Sequence, residues 1–523
     1  MYGLDSALID GIDFSSALKR VKTDVLSDFV LAPHYSAVYE YAGDELIERL
    51  KTLLRNGEYA PELPIKVDVP KTSGVTRPGA ILLPVDRLTY QMLADQTSTI
   101  IESQLDRSRV FSHVLLTNDT EFKMFRPSSE CWQEMETARN SLCQSADYQY
   151  AVKTDVSCYF ERINQHNLIN LLGGSGCDNR ITNLLEKILL DFTEKDSYGI
   201  LQGLFPSDLF GNFYLSVVDN HLNIKGVPSI RYVDDLYVYY PTLTEAKKGL
   251  VDLCRTIRDE GLSLNESKTK IMEASALFVE ETEIDRLFQR AREEIRNTPV
   301  LIEVEGQYGF ESIWVTGELG LPEEEIELRA VKELFSTIGD NPSEAEKIER
   351  FCLPYFSLSR DNIAVESSLE RIIKNPHLSR MYCSYLIPFV RSDRTVSEPI
   401  ELIIRNEELP YDWSLIWPLA LLIEVSTIDE STVVQAIRII EDSRRADALR
   451  ATAVHLVAKH GNAMQRRLLR HRYDREPSQY VRSAILYSAR YLTTNERNSC
   501  LGAWGSHSVT NSLIVNAVRA SIN

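Results

Sequence analysis

Residues 230–240, IRYVDDLYVYY, decide the predicted fold. Aromatic and β-branched residues on both sides of an acidic pair are typical of two strands that meet at a tight turn. Asp234 and Asp235 then lie at the tip of a hairpin whose strands are buried in a sheet. Neighbouring carboxylates repel each other, so this position is costly unless a cation binds there. For such a pair taken alone, the alternative is a turn that uses aspartate only for its turn propensity.

A third carboxylate, Asp155, is expected to lie beside this hairpin. The run YAVKTDVSCYF at residues 150–160 is typical of a strand that ends near Asp155 and leaves into a turn. Carboxylates from two neighbouring strands could hold two Mg²⁺ ions about 3.5–4 Å apart, as in-line nucleotidyl transfer requires. Helix capping or turn formation is the commoner role of such an aspartate, and it stays open at this point.

The surrounding segments predict an α+β region that extends to about residue 275. Residues 63–69 alternate like a strand, residues 70–79 read as a loop, and residues 243–258 form an amphipathic helical pattern. From about residue 340 onward the pattern is helical to the end. The stretches that begin at Leu449, Val481 and Leu513 resemble one another at a spacing of 32 residues, which suggests stacked helical hairpins of the HEAT kind. Unrelated amphipathic helices of similar composition are the alternative.

Length and composition predict an ordinary intracellular protein with two or three domains. The chain has 523 residues, which is too long for one compact core. Its N-terminus is acidic and lacks the apolar run of a secretory signal, and no stretch has the length and hydrophobicity of a membrane span. None of the eight cysteines forms a CxxC pair, and the nine histidines form no HExxH pattern. We therefore expect a cytoplasmic protein without a zinc or redox motif.

The net charge of −19 limits how strongly the chain is expected to bind nucleic acid. Proteins that track long nucleic acids usually present basic surface, because contacts to phosphates supply most of their affinity. An acidic chain can still contain a locally basic channel. The charge argues against tight binding along a long duplex.

Five motifs in order, across about 200 residues, resemble those of reverse transcriptases. They are TRPGAILLPVDRLTYQML at 76–93, KTDVSCYF at 153–160, LQGLFPS at 201–207, YVDD at 232–235 and GLSLNESKTKI at 261–271. The resemblance implies a palm in which Asp155 and Asp234 are the principal metal ligands and Asp235 assists. It implies two Mg²⁺ ions as cofactor, with Mn²⁺ as an alternative, and deoxynucleoside triphosphates as substrates.

The same resemblance assigns roles to residues around the carboxylates. Phe160 would be the aromatic gate that crowds a ribose 2′-hydroxyl, although a core role is also open for it. Arg77 would meet the triphosphate, because a planar guanidinium suits phosphate oxygens. Lys268 would act near the leaving pyrophosphate as a cation or general acid, the alternative being a solvated turn lysine.

Three further predicted site residues belong to the LQGLFPS motif. Gln202 and Gly203 would shape the loop under the incoming base pair, and Ser207 follows at the expected spacing. Leu201 departs from the proline that usually precedes this glutamine, which affects the expected loop shape.

The layout of the domains resembles a narrower group, the abortive-infection (Abi) reverse transcriptases of bacterial phage defence. We expect reverse-transcriptase fingers and palm over residues 1–300, and an α-helical, HEAT-like domain over residues 301–523 in place of a normal thumb. This resemblance implies antiviral DNA synthesis without a template, primed from a protein hydroxyl such as tyrosine, in a homo-oligomer. Single-stranded DNA, covalently attached to the protein in the primed case, would be the product.

Two other functions stay open from the sequence. One is a templated RNA-directed DNA polymerase of the retron or group II intron type, which predicts dependence on a primer-template and a thumb. The other is a catalytically inactive nucleic-acid-binding scaffold. The intact set of Asp155, Asp234 and Asp235 argues against the scaffold, because an unused palm is free to lose its carboxylates.

Overall fold

The structure is a computed structural model that describes most of the chain. It describes residues 1–116, 122–278, 283–296, 300–304, 311–315, 328–391 and 393–522. The helices are α1 (Ser6–Gly11), α2 (Phe14–Asp24), α3 (Pro33–Tyr41), α4 (Gly43–Asn56), α5 (Pro84–Gln104), α6 (Ser128–Gln144), α7 (Tyr159–Arg162), α8 (Gln165–Gly174), α9 (Asn179–Phe192), α10 (Phe205–Tyr214), α11 (Ser216–Ile224), α12 (Leu243–Asp259), α13 (Glu283–Arg296), α14 (Arg329–Ser336), α15 (Ala345–Leu358), α16 (Val365–Lys374), α17 (Ser379–Val390), α18 (Arg394–Arg405), α19 (Asp412–Glu424), α20 (Glu430–Glu441), α21 (Asp447–His460), α22 (Ala463–Tyr473), α23 (Gln479–Ser488), α24 (Thr494–Trp504) and α25 (Val509–Ile522). The strands are β1 (Ile65–Pro70), β2 (Thr76–Ile81), β3 (Tyr150–Asp155), β4 (Ser229–Tyr232), β5 (Asp235–Tyr240), β6 (Lys270–Glu273), β7 (Val300–Val304) and β8 (Glu311–Val315).

The chain divides into two compact units, each of which is discontinuous in sequence. The first unit comprises Met1–Asp28, Asp44–Pro64 and Leu82–Glu280, and the second comprises Phe29–Gly43, Ile65–Ile81 and Glu281–Asn523. Two short N-terminal segments are therefore grouped with the C-terminal helices. The predicted domains, 1–300 and 301–523, divide the chain at a single point, and they stay a prediction.

A four-stranded antiparallel sheet lies at the centre of the first unit. Its strand order is β4-β5-β3-β6, and helices α6 and α12 pack against it. Strand β5 is buried along Leu236–Tyr240, and its aromatic and β-branched residues suit a central strand. On one face Ala151, Ile230 and Tyr239 join Met135 of α6 in a hydrophobic cluster. The predicted α+β character and the hairpin at residues 230–240 are confirmed.

The β1–β2 hairpin of the second unit corrects one sequence-based prediction. Residues 70–79 were expected to form a loop, but the loop is shorter and β2 begins at Thr76. Strand β2 pairs with β1 in antiparallel register, from Thr76 opposite Pro70 to Ile81 opposite Ile65. The sequence pattern did not predict this strand because it contains Pro78 and Gly79, and both residue types are poor strand formers. A two-stranded sheet tolerates this proline, since one side of each strand has no partner strand within the sheet.

The described residues from 328 to 522 of the second unit form no strand, which confirms the helical prediction for this region. Helices α15, α17, α19, α21, α23 and α25 pack one against the next in this order. The three similar stretches, beginning at Leu449, Val481 and Leu513, fall on α21, α23 and α25. Equivalent positions on successive packed helices are what a repeat requires. The HEAT-like assignment stays a prediction.

A helix that spans a bilayer must be both long and strongly apolar. Among the described residues, no helix combines the length and the hydrophobicity that crossing a membrane demands.

Candidate active site

The register of the central sheet brings the predicted carboxylates together. Asp155 at the end of β3 lies directly opposite Asp235 at the start of β5. Residues directly opposite each other in an antiparallel pair have Cβ atoms about 4.5–5.5 Å apart. Asp234 belongs to the two-residue turn between β4 and β5. Asp155 thus meets Asp234 and Asp235, which are distant from it in sequence, at one end of the sheet.

The turn that carries Asp234 contains a backbone conformation that valine rarely adopts. Val233 has φ 56°, in the left-handed region. Such a conformation costs of order 1–3 kcal/mol and persists where the surroundings hold it in place. The amide of Val233 donates to Ser112 Oγ at 2.8 Å, and its carbonyl accepts from Arg231 Nη1 at 2.9 Å. These two hydrogen bonds fix the orientation of the turn.

Arg231 is a buried cation that ties the turn to the helices behind it. Its side chain is almost fully buried, and it donates to both carboxylate oxygens of Asp219, with a shortest distance of 2.6 Å. It also donates to the side chain and the backbone carbonyl of Asn212. Separating Arg231 from Asp219 would leave a buried charge without its counter-charge, so this pair holds the network together. Sequence analysis missed this network; its signal was an arginine inside an apolar strand.

Asp155 is held in place by residues of the GLSLNESKTKI motif. Asn265 Nδ2 donates to Asp155 Oδ2 at 3.1 Å, and the Asn265 amide donates to the Asp155 carbonyl at 2.7 Å. Lys268 Nζ lies 3.2 Å from Asp155 Oδ1. Lys268 was predicted as a site residue, and the structure places it at the carboxylates. Asn265 was not singled out, although it stands in the same quoted motif.

Burial and like charge both disfavour ionisation of the turn carboxylates. Burial, and then the charge of Asp155, raise the pKa of Asp234 to about 6. The same two causes raise the pKa of Asp235. For Lys268, burial lowers the pKa, but the hydrogen bond to Asp155 and the charge of the three carboxylates outweigh it and raise the pKa overall. The site therefore has a surplus of negative charge that a cation would relieve.

The donor set suits a hard divalent cation, although its side chains are not arranged around one. Among the described residues no group of three or more His, Cys, Asp or Glu side chains converges as a metal site. Both oxygens of Asp155 instead face Asn265 and Lys268. The register of the strands fixes the backbone positions of Asp155 and Asp235, and the Lys268 ammonium is the cation beside Asp155. Three carboxylates at one sheet end match the oxygen preference of Mg²⁺ and Mn²⁺.

Phe160 packs where two backbone segments come close together. It lies on α7 and is 9% exposed. A Cβ atom on Gly211 of α10 would stand 2.9 Å from Phe160 Cε1, so only glycine fits opposite this ring. The position has the packing of a core aromatic, and the predicted gating role stays a prediction.

The LQGLFPS segment forms the entry into α10. Gly203 has φ 86°, which glycine adopts without strain, and Gln202 beside it is half-buried. Ser207 is fully buried on α10, and its hydroxyl lies 3.0 Å from the Tyr90 hydroxyl of α5. Ser207 thus takes part in a buried hydrogen bond, while its predicted contact with substrate stays a prediction.

A buried ion pair anchors the start of α10. Asp24 accepts from the Phe205 amide at 3.1 Å and from Arg87 Nη2 at 2.6 Å. Arg87 also donates to Asp28 at 2.8 Å. Arg87 lies in a predicted motif, but its ion pairs were not predicted because neither aspartate is near it in sequence.

Arg77 belongs to the second unit, on strand β2. Its guanidinium lies 4.6 Å from the centre of the Phe29 ring, a cation–π contact. Burial, followed by the charge of Arg350, lowers the pKa of Arg77. Its predicted contact with the triphosphate stays a prediction.

Comparisons with known proteins agree with the motif order. Residues 69–298 match the model of the family described as reverse transcriptase (RNA-dependent DNA polymerase). No curated protein matches the chain.

Solved structures with similarity to the chain include telomerases, at a level too low to carry further argument. Telomerase from Candida albicans, in complex with a fragment of telomeric RNA, is 13% identical over 66% of this chain and 64% of its own, with a TM-score of 0.32. Telomerase from Candida tropicalis with telomeric RNA is 13% identical over 72% and 68%, with a TM-score of 0.32. The apo telomerase of Candida tropicalis is 12% identical over 92% and 73%, with a TM-score of 0.32. The chain spans less than two thirds of the first of these telomerases.

A family match of 230 consecutive residues covers the palm strands and the carboxylates described above. The chain therefore contains a reverse transcriptase domain.

Proposed function

We propose that the chain is a DNA polymerase in which Asp155, Asp234 and Asp235 are the catalytic carboxylates. The observation that carries the proposal is the direct pairing of Asp155 with Asp235 beside the turn that holds Asp234. In the reaction, a hydroxyl attacks the α-phosphate of a deoxynucleoside triphosphate. A phosphodiester bond forms, the bond to the β-phosphate breaks, and pyrophosphate leaves.

The three carboxylates would hold divalent cations, two Mg²⁺ ions or Mn²⁺ in their place. Bound there, the cations would activate the attacking hydroxyl and stabilise the charge on the leaving group. Lys268 contributes a positive charge next to Asp155. Asn265 keeps Asp155 oriented through two hydrogen bonds. The Arg231 network holds the strained turn so that Asp234 stays at the end of the sheet.

The narrower proposal is template-independent, protein-primed synthesis in abortive-infection phage defence, by a cytoplasmic homo-oligomer. The net charge of −19 supports it, because tracking a long primer-template requires many phosphate contacts. The all-helical arrangement of the described residues from 328 to 522 supports it as well. The abortive-infection reverse transcriptases, which the chain resembles, carry a helical-repeat domain in their C-terminal part. A templated polymerase and an inactive scaffold are the rivals.

One incubation separates these three functions. Purified chain is mixed with Mg²⁺ and labelled deoxynucleotides, with and without primer-template, and run on a denaturing gel before and after protease treatment. We expect label without template that shifts with the protein and is released by protease. Incorporation only with primer-template would assign the templated function. Label in neither condition would assign the scaffold.

Variants of the carboxylates test the site itself. Asp234→Ala with Asp235→Ala, or Asp155→Asn alone, should lower incorporation by at least ~100-fold, because charge stabilisation at the reacting phosphate is removed. The matched control is Asp147→Ala with Asp259→Ala, which removes two exposed carboxylates from the same unit. Wild-type incorporation by the turn variant would refute the assignment of the active site.

A further inference from the structure

Helix α22 is strongly basic in a chain that is strongly acidic. The net charge of the chain is −19. Residues 463–475 nevertheless contain one acidic residue, Asp474, and five arginines: Arg466, Arg467, Arg470, Arg472 and Arg475. Such a local surplus attracts anions even when the whole molecule is negative.

Three of these arginines have structural partners. Arg466 donates to the backbone carbonyls of Tyr491 and Lys459, at 3.2 and 2.9 Å. Arg467 donates to Glu496 at 3.1 Å, and Arg472 donates to Glu476 at the same distance. These contacts fasten α22 to its neighbours and pair two of its arginines with carboxylates, while Asp474 is in none of these contacts and lines the same cavity as Arg470.

Arg470 and His471 are exposed and differ from the other basic residues of the helix. Neither side chain has an ion-pair or hydrogen-bond partner among the residues that the structure describes. With Arg467 and Asp474 they follow a spacing of three and four residues, which places them on one face of the helix. This face lines a cavity of about 510 Å³ between α22 and α24.

The opposite wall of the cavity is formed by Ser499, Cys500, Ala503 and Trp504 of α24, and by His507. Ser499 and Ala503 of α24 line it and are exposed, so a ligand can come close to the helix. Trp504 stacks on Tyr473, with ring centres 3.9 Å apart and planes 12° apart. The Tyr473 hydroxyl lies 3.3 Å from Nδ1 of His507, which lines the same cavity.

We propose that this α22–α24 cleft, lined by Arg467, Arg470, His471, Ala503, Trp504 and His507, binds the phosphate backbone of single-stranded nucleic acid. The arginine fork suits phosphate oxygens, and the two imidazoles add donors to the same cavity. A volume of about 510 Å³ accommodates one nucleotide. The choice of nucleic acid over another anion rests on the proposed polymerase function.

Binding of a short, fluorescently labelled single-stranded DNA to the full chain tests the cleft by anisotropy over a range of salt concentrations. Arg470→Glu should raise Kd about tenfold, since a charge-assisted interaction with phosphate becomes a repulsion. The slope of log K against log salt should fall in magnitude by about 0.7 for each phosphate that the variant no longer neutralises. The matched control is Arg444→Glu, the same change at an arginine of the second unit whose side chain is 88% exposed and is absent from the cavity lining.

A second variant blocks the cleft without changing its charge. Ala503→Trp fills the cavity from an exposed position, so it should weaken binding and leave the thermal melting temperature near that of the wild type. Wild-type affinity in both cleft variants, equal weakening by Arg444→Glu, or no binding by the wild type would overturn the proposal. Displacement of the DNA by poly-glutamate at the same charge concentration would overturn the assignment to nucleic acid.

The palm variant separates this proposal from the proposed function. Asp234→Ala with Asp235→Ala should abolish incorporation and leave the anisotropy titration unchanged, because its substitutions lie outside the cleft. DNA binding that depends on Arg470 in a wild type that incorporates nothing would support the cleft and refute the polymerase. Nucleotide incorporation by a wild type whose DNA binding does not depend on Arg470 would support the polymerase and refute the cleft.

Discussion

At the scale of single residues, Lys268 makes a structural contact at the sheet end and is proposed to take part in the chemistry. Its ammonium lies 3.2 Å from Asp155, and its side chain is 60% exposed. At this position Lys268 could act as a stabilising charge or as a proton donor. Substitution by arginine and by alanine distinguishes the two roles. Arginine keeps the charge but stays protonated at any working pH.

We expect the charge to be the larger contribution. Lys268→Ala should lower kcat about tenfold or more, and Lys268→Arg should retain activity within about threefold of the wild type. Initial rates of incorporation at saturating deoxynucleotide measure the effect, and unchanged melting temperatures are the control for folding. An arginine variant as slow as the alanine variant would assign proton donation instead.

Phe160 allows a test of substrate selection against packing. Phe160→Ala should increase incorporation of ribonucleotides relative to deoxynucleotides, because the predicted gate is removed. The same change should lower the free energy of unfolding by about 3–5 kcal/mol, because the ring is only 9% exposed. The ratio of kcat/KM values for the two sugars and a urea titration measure the two effects.

Phe210→Ala is the matched control, since Phe210 is a fully buried phenylalanine of α10. It should destabilise the chain by a similar amount and leave the sugar ratio unchanged. An unchanged ratio in Phe160→Ala would mean that the ring only fills space.

At the scale of elements, the β4–β5 hairpin shows how a strained turn is kept in place. The conformational free-energy cost of the left-handed backbone at Val233 is offset by the hydrogen bonds of this residue to Ser112 and Arg231. Arg231 in turn depends on Asp219, which lies on α11. The orientation of the turn is thus set by segments outside the hairpin.

Val233→Asn should stabilise the chain by about 1 kcal/mol, because asparagine adopts the left-handed conformation at a lower cost than a β-branched residue. Chemical denaturation of both proteins under one condition measures the difference. The same substitution at Val251, an exposed valine in the body of helix α12, should give no stabilisation. A less stable Val233→Asn protein would show that the turn holds no recoverable strain.

At the scale of the whole molecule, a pair of buried histidines connects residues far apart in the chain. His34 of α3 and His455 of α21 are buried in the second unit, with Nδ1 of His34 3.3 Å from Nε2 of His455. Burial, then the charge of Arg490, lower the pKa of His455 to about 3. Burial, then the charge of His455, lower the pKa of His34 well below its usual range. Tyr35 and Tyr480 pack their rings on His34.

These pKa shifts predict loss of stability in mild acid. In the unfolded chain a histidine takes up a proton near pH 6.5, whereas the folded pair stays neutral until about pH 3 for His455. The unfolded state therefore binds more protons between these values, and stability falls as the pH is lowered through this window. We expect a loss of about 1 kcal/mol for each histidine between pH 7 and 5.5, measured by urea titration.

Removal of both titrating groups provides the comparison. His34→Phe with His455→Leu should flatten this part of the pH profile, whatever its effect at pH 7. His166→Gln, a change at an exposed histidine of the first unit, should leave the profile unchanged. An unaltered slope in the double variant would assign the acid sensitivity to other groups.

The sequence alone determined the features that depend on neighbours along the chain. Alternating aromatic and β-branched residues around 234–235 encode two strands and their turn, because side-chain period and turn propensity are local properties. The helical part after residue 340 is encoded in the same way, whereas the expectation for Lys268 came from the resemblance of its motif to those of reverse transcriptases. These features were sufficient to propose the carboxylate site.

Only the tertiary structure decided which distant residues support that site. The pairing of Arg231 with Asp219, of Asn265 with Asp155, and of Arg87 with Asp24 joins segments between 12 and 110 residues apart. Strand β2 also needed its partner β1 before its proline and glycine could be accepted within a sheet. A buried charge or an unpaired backbone group has no preference that its own sequence neighbours reveal, because its free energy depends on the segment that folding places opposite it.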